Sequence, residues 1–252
     1  MKISTCIKKV AFFLLNTFNR IVLPVGFSKI IIPHLAIESY LDLWLVRPMN
    51  GQKNRLRTAY LLAGILRPTH AIETGTYLGT TTQYLTSMVT YKTYSIEVNQ
   101  KYLDVAKKRL SSEVETKTVE LILGNSKIEI LNILNKLDPN KHRVLVYLDA
   151  HWSDYVPLKE EIQSLLDWGG VFIAIIDDFM IPLDPGYGYD QYLNYRIDAS
   201  QVPFSEKISI WVPSEPSTSE SGSKRGTAYL IHAKLKSMIT DSSAEIKIKP
   251  YN

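Results

Sequence analysis

Two hydrophobic rhythms alternate along this chain after Pro48. Short runs rich in β-branched residues, apolar on successive positions, lie at His70–Glu73, Thr93–Val98, Val119–Leu123, Arg143–Leu148 and Val171–Ile176. Runs of that kind predict strands covered on both faces. Between them, Thr81–Val89, Gln100–Leu110, Lys127–Leu137 and Leu158–Trp168 carry apolar residues three and four apart, as does Lys53–Leu66 ahead of the first strand, and this spacing predicts helices. Gly169 and Gly170 follow the last of them as a helix C-cap would. Two further strands are predicted at Ile208–Val212 and Thr227–Ala233. The sum is an α/β chain with a Rossmann-like, doubly wound, mostly parallel seven-stranded sheet and helices on both faces. The segment Ser214–Gly226, rich in Ser, Glu and Gly, reads as a mobile connector.

The first part of the chain follows another pattern. Ile3, Ile7, Val10, Leu14, Phe18 and Ile21 fall on one helical face, with Lys2, Lys9, Asn16 and Arg20 largely elsewhere. Residues 1–47 are therefore expected to form a helical extension, either packed on the domain of residues 48–252 or lying on an anionic membrane surface. The apolar run Val10–Leu15 is far shorter than the roughly 20 residues a spanning helix needs.

Composition narrows the field. With 252 residues, 45% hydrophobic and 21% charged, the chain can bury a core. Its net charge of +4 is scattered rather than clustered, so no nucleic-acid partner is expected. Cys6 is the single cysteine, which excludes an internal disulfide and a cysteine-based zinc cluster and fits a reducing, cytoplasmic setting, with peripheral contact at the inner membrane surface if the N-terminal helix docks there. Self-association as a homo-oligomer stays open.

The chemistry should sit at the carboxyl ends of the strands, where an open α/β sheet binds its ligands. The first strand-to-helix turn reads Glu73-Thr74-Gly75-Thr76-Tyr77-Leu78-Gly79. Gly75 and Gly79 allow a tight turn and a close backbone approach, and the next helix offers free amides and a positive dipole end. The glycine spacing is not that of the dinucleotide fingerprint, which argues against a nicotinamide enzyme. Glu97, ending the second strand, can accept hydrogen bonds from both hydroxyls of a ribose. Asn125 and Ser126 follow the third strand and can address a base edge, with Trp152 supplying a stacking face. Asp149 ends the fourth strand and Asp177-Asp178 the fifth. Three carboxylates brought together there form a candidate all-oxygen Mg²⁺ site, the bland alternative being solvated carboxylates at the rim. Beyond them, Tyr187, Tyr189 and Tyr192, with Asp184 and Asp190, form a loop suited either to an acceptor or to its own packing.

In this order, Met49-Asn50-Gly51, the glycine turn, Ser95-Ile96-Glu97-Val98-Asn99, Gly124-Asn125-Ser126, Leu148-Asp149-Ala150-His151-Trp152 and Asp177-Asp178 resemble the class I S-adenosylmethionine-dependent methyltransferases, within them the catechol O-methyltransferase-like and sugar O-methyltransferase group. The resemblance runs from about Met49 to about Tyr189. It implies that Glu73, Gly75, Thr76 and Gly79 hold the methionine part of S-adenosylmethionine, with Met49 and Asn50 closing over it. It implies Glu97 at the ribose, and Asn125, Ser126, His151 and Trp152 around the adenine. Asp149, Asp177 and Asp178 would bind a divalent metal, with Mg²⁺ the first candidate. The acceptor would be a small-molecule or saccharide hydroxyl. Two departures stand out. The group carries an Asp-His-Trp-Lys run whose Lys is the general base, whereas here Ala150 intervenes and Ser153 follows Trp152; Asp178 stands where Asn is usual. Asp149 and His151 are then the candidate catalytic residues, and the missing Lys leaves open a binding or assembly protein that retains the fold.

Overall fold

In a computed structural model the chain divides into two units, Met1–Asp42 and Leu43–Asn252. The structure describes residues 47–151, 155–193 and 195–251. The expected N-terminal helix, its membrane contact and Trp152 lie outside the described residues.

The sheet runs β3-β2-β1-β4-β5-β7-β6-β8, with β1 His70–Thr74, β2 Lys92–Glu97, β3 Val119–Leu123, β4 Arg143–Leu148, β5 Val171–Asp177, β6 Ile208–Pro213, β7 Thr227–His232 and β8 Ile248–Pro250. The first five strands are parallel; β7 pairs antiparallel to β5, and β6 antiparallel to both β7 and β8. This is the doubly wound arrangement the sequence predicts, with eight strands in place of seven. The extra strand is β8, three residues long and ending in Pro250, too short to show a period.

Helices α1 Lys53–Leu66, α2 Thr80–Thr86, α3 Gln100–Arg109, α4 Ser111–Glu115, α5 Ser126–Leu134, α6 Leu158–Trp168 and α7 Lys236–Ile246 connect or follow the strands. Successive strand residues point to opposite faces, and the core divides accordingly. Val144, Val146 and Leu148 of β4 pack with Ile130, Ile133 and Leu134 of α5 and Ile162 and Leu165 of α6. Leu145 and Tyr147 pack on the other face with Ala59, Leu62 and Leu66 of α1 and Ile239 and Ile246 of α7. Burial of both faces accounts for the continuously apolar strands. No helix among the described residues is long and apolar enough to cross a membrane.

The connector after β6 is tied down, contrary to the expectation of mobility. Ser217 is buried and donates through its amide and hydroxyl to Asp184 at 2.8 and 2.7 Å. Buried Glu220 accepts the free amides of Asn54 and Arg55 at the start of α1, at 3.0 and 3.3 Å. Its Ser and Glu side chains thus act as caps on neighbouring backbone, which composition alone does not distinguish from solvated polarity.

Candidate functional site

The strand order reverses between β1 and β4, and there a cleft of about 680 Å³ opens at the carboxyl ends of the strands. All five parallel strand ends contribute to its wall, through Gly75, Glu97, Asn125 and Ser126, Asp149 and His151, and Asp178. Each position follows from its turn. Gly75 has φ +85°, and a Cβ there would stand 2.5 Å from the Asp149 carbonyl oxygen, so only glycine lets the β1 and β4 ends approach this closely. Asn125 caps α5, its Oδ1 accepting the Lys127 amide at 3.0 Å. Asp178 follows β5 with φ +54°, a left-handed turn that short polar Asp tolerates.

Glu97 is held as a fixed acceptor. One carboxylate oxygen accepts the Tyr77 amide at 2.8 Å and the other the Asn99 amide at 2.9 Å, while the side chain still borders the cleft. Each oxygen keeps a further lone pair. Tyr77 and Tyr102, edge to face at 4.8 Å between centroids, stand beside it. Both were missed in the sequence, because tyrosines on a turn and on a helix carry no periodic signal.

Glu73, Thr76 and Gly79 are not cleft-lining residues. Glu73 is fully buried beneath the glycine turn, accepting Ser95 Oγ at 2.5 Å and Thr82 Oγ1, while Thr76 Oγ1 pairs with Ser95 Oγ at 2.6 Å. Burial pushes the Glu73 carboxyl up to about 8, against the lowering effect of those hydroxyls. Gly79, at φ +76°, gives passage to Leu110 and Ala106 of the α3 region. Met49 and Asn50, both with positive φ, belong to a 3₁₀ turn, Pro48–Gly51, bonded to the body of the domain: Met49 donates its amide to Thr81 Oγ1 at 3.1 Å, and Asn50 Nδ2 donates to Asp177 Oδ2 at 2.9 Å.

The carboxylates sort differently from the expected metal triad. Asp177 is 1% exposed and consumed internally: Arg55 Nη1 donates to Oδ1 at 2.5 Å, and Tyr147 Oη and Asn50 Nδ2 donate to Oδ2. Burial works against charge on Arg55, and Asp177 together with Tyr147, Tyr229 and Asp178 more than restores it. The side chains that converge are Asp149, His151 and Asp178, one ligand atom of each lying within 4.8 Å of the others. His151 Nε2 is 3.5 Å from Asp149 Oδ1 and 3.8 Å from Asp178 Oδ2, buried and without a hydrogen bond. On the ring's other side Nδ1 meets Tyr192 Oη at 3.2 Å and Asp190 Oδ2 at 3.5 Å. Arg225 bridges Asp178 and Asp190, donating to one oxygen of each. Burial raises the carboxyls of Asp149, well above its ordinary range, and of Asp178, to about 6, with Asp177 adding its charge to both. For His151 burial acts downward, but the Asp190 contact and the charges of Asp178 and Asp177 hold the imidazole above its ordinary value.

Of the tyrosine loop, only Tyr192 and Asp190 reach the cleft; Tyr187 is buried with its hydroxyl on the Glu215 carbonyl, and Asp184 is spent on Ser217. Arg225 and Arg55 were not read as site residues. Arg55 carried a signal, since it sits four residues before Ala59 on the apolar face of α1, where a lone cation needs a buried partner.

No family model matches this chain, and no curated protein matches it. Among solved structures it is similar to an O-methyltransferase from Bacillus cereus in complex with SAH, at 12% identity over 86% of this chain and 96% of that one, TM-score 0.47. It is similar to the O-methyltransferase TomG from Streptomyces achromogenes, involved in tomaymycin synthesis and in complex with SAM, at 16% identity over 71% and 79%, TM-score 0.43. A rRNA methylase from Streptococcus thermophilus is similar at 17% identity over 71% and 95%, TM-score 0.45.

Proposed function

We propose that the protein is an S-adenosylmethionine-dependent O-methyltransferase acting on a hydroxyl of a small molecule or saccharide. The observation that carries this reading is the Glu97 carboxylate, fixed by two backbone amides at the wall of a cleft whose opposite side holds Asp149, His151 and Asp178. A carboxylate so fixed is placed to take the two ribose hydroxyls of a nucleoside, and Asn125 and Ser126 border the space a base would fill. Gly75 brings backbone to the cleft between these groups, where the methionine portion would lie.

When bound, S-adenosylmethionine supplies an electrophilic methyl group on a sulfonium. The chain's contribution is to orient an acceptor hydroxyl toward that methyl and to take up its proton as the O–CH₃ bond forms and the C–S bond breaks. For a divalent ion the donor set fits through Asp149, His151 and Asp178, since His151 Nε2 is an orphaned buried donor atom facing two carboxylates. Such an ion would lower the pKa of a bound hydroxyl. Asp190 and Tyr192, at the mouth of the cleft, are the groups to bind acceptor hydroxyls. A second reading, a binding protein on the same scaffold, is favoured by the lack of any lysine among the described residues that line the cleft.

Calorimetric titration with S-adenosylhomocysteine tests the first reading, with Glu97→Ala as the control. Saturable binding lost in the variant, followed by methyl transfer to any hydroxylated acceptor, is the expected result. No binding to the parent protein sinks the methyltransferase reading, and binding without transfer across a broad acceptor panel favours the second.

A further inference from the structure

We infer that His151 Nε2 is a direct metal ligand, and that the site with Asp149 and Asp178 takes a divalent transition ion of the Mn²⁺, Fe²⁺ or Co²⁺ kind in preference to Mg²⁺. The inference deepens the reading of the same cleft but does not depend on methyl transfer.

The hydrogen-bond directions around the ring carry the argument. Tyr192 Oη donates to Asp190 Oδ2 at 3.0 Å, its shortest contact, so toward His151 it presents a lone pair. Nδ1, 3.2 Å from that oxygen, must therefore carry the proton and donate. Nε2 then points a lone pair, or a second proton, at Asp149 Oδ1 and Asp178 Oδ2. A proton there makes no hydrogen bond to either carboxylate, whose oxygens stand 3.5 and 3.8 Å away, and the atom is buried without a partner. A cation between the three atoms satisfies all of them at once. The separations of 3.5 and 3.8 Å are below the roughly 4.2 Å spanned by two ligands opposite each other on one ion.

The surroundings are those of a ligand histidine. A metal-bound imidazole characteristically gives its other N–H to a carboxylate or hydroxyl, which fixes the ring, and those partners are themselves held. Here Asp190 and Tyr192 perform that task, and Arg225 clamps Asp190 together with Asp178, leaving Asp178 Oδ2 free to face Nε2. Charge agrees: in the deprotonated forms that bind a metal, with the imidazole neutral, the carboxylates of Asp149, Asp178 and Asp190 outnumber the single guanidinium of Arg225 by two, while Asp177 is paired with Arg55. One imidazole with two carboxylates is a mixed nitrogen and oxygen donor set, which suits borderline ions, whereas Mg²⁺ takes oxygen ligands and water.

The test uses the full-length protein stripped of metal and loaded with Mn²⁺ alone, read by electron spin echo modulation for coupling to an imidazole ¹⁴N, with competition by Mg²⁺. Folding of each variant is checked by circular dichroism. One Mn²⁺ per chain with a ¹⁴N coupling is expected. His151→Ala should remove the coupling and weaken Mn²⁺ roughly 10- to 100-fold while changing Mg²⁺ affinity little, and Asp190→Asn should keep the coupling but weaken Mn²⁺. Mn²⁺ bound without the coupling, equal losses of Mg²⁺ and Mn²⁺ in His151→Ala, or no Mn²⁺ binding at millimolar ion each overturns the inference. S-Adenosylhomocysteine titrated in parallel separates the two readings: its binding without a ¹⁴N-coupled ion overturns this inference alone, and a ¹⁴N-coupled ion without its binding overturns the methyltransferase reading alone.

Discussion

Arg55 Nη1 meets Asp177 Oδ1 at 2.5 Å with both side chains 1% exposed, linking the start of α1 to the end of β5 beneath the cleft. Arg55 Nη2 also donates to the Arg225 carbonyl at 2.5 Å, so one guanidinium joins the helix, the central sheet and the chain segment that carries the site's other arginine. Of the two adjacent aspartates, the first is structural and the second lines the cleft.

The pair should therefore matter to stability more than to binding chemistry. Removing one partner leaves an uncompensated buried charge, and Arg55→Ala is expected to cost about 3–5 kcal/mol. Urea denaturation measures it. A loss below about 1 kcal/mol, the range of exposed ion pairs, would mean that the pair is not closed in solution.

Glu97 is the position where binding should be lost without loss of fold. Its two amide donors, Tyr77 and Asn99, lie in exposed or half-buried turns that water can satisfy when the carboxylate is gone. Hydrogen bonds to a charged group contribute about 1.5–3 kcal/mol each, so Glu97→Ala should weaken S-adenosylhomocysteine at least about 10-fold in calorimetry while urea midpoints barely move. Unchanged affinity would withdraw the ribose assignment.

What the sequence made legible follows from range. Parallel strands buried on both faces leave continuous apolar runs, so β1 to β5 and the turns after them could be placed from local pattern. The identity of the metal-facing carboxylate could not. Asp177 and Asp178 are chemically identical neighbours, and what separates them is Arg55, more than a hundred residues earlier, together with the left-handed backbone at Asp178. The connector was misread for the same reason: Glu220 is polar whether it faces water or caps α1 from the far end of the chain.

Stability should also fall with rising pH through a buried acid. Glu73 binds its proton more tightly folded than unfolded, its carboxyl being raised by burial from 4.5 to about 8. The corresponding stabilisation is whole below about pH 4.5 and drains away as pH rises through 8. Glu161, fully buried on α6 and raised by burial to about 7, acts in the same direction. Glu73→Gln keeps the shape without the titration, so the melting temperature of the parent should fall more steeply than that of the variant between pH 6 and 9, each kcal/mol being worth about 2–4 °C for a domain of this size. Parallel curves would show that Glu73 is already ionised in the folded protein across that range.

Two glycines set a final contrast in how the 3₁₀ turn before α1 is held. Gly222 has φ +64°, and a Cβ there would lie 2.1 Å from the Asn50 carbonyl oxygen; its neighbours bind the same turn, with the Ser223 amide on the Asn50 carbonyl at 3.1 Å and Ser221 Oγ on the Gly51 carbonyl at 2.8 Å. Gly222→Ala meets both a left-handed backbone, costing about 1–2 kcal/mol, and a backbone collision that no rotamer relieves. It should lower stability by about 2 kcal/mol or more and open the connector to trypsin at Lys224. Gly64, exposed on α1 with open space around it, is the opposite case: Gly64→Ala adds helix propensity worth about 0.5–1 kcal/mol and should raise stability. If the two substitutions moved the urea midpoint alike, the connector would not be packed on the Pro48–Gly51 turn, and that turn would lack the support that holds Met49 and Asn50 in their left-handed conformations.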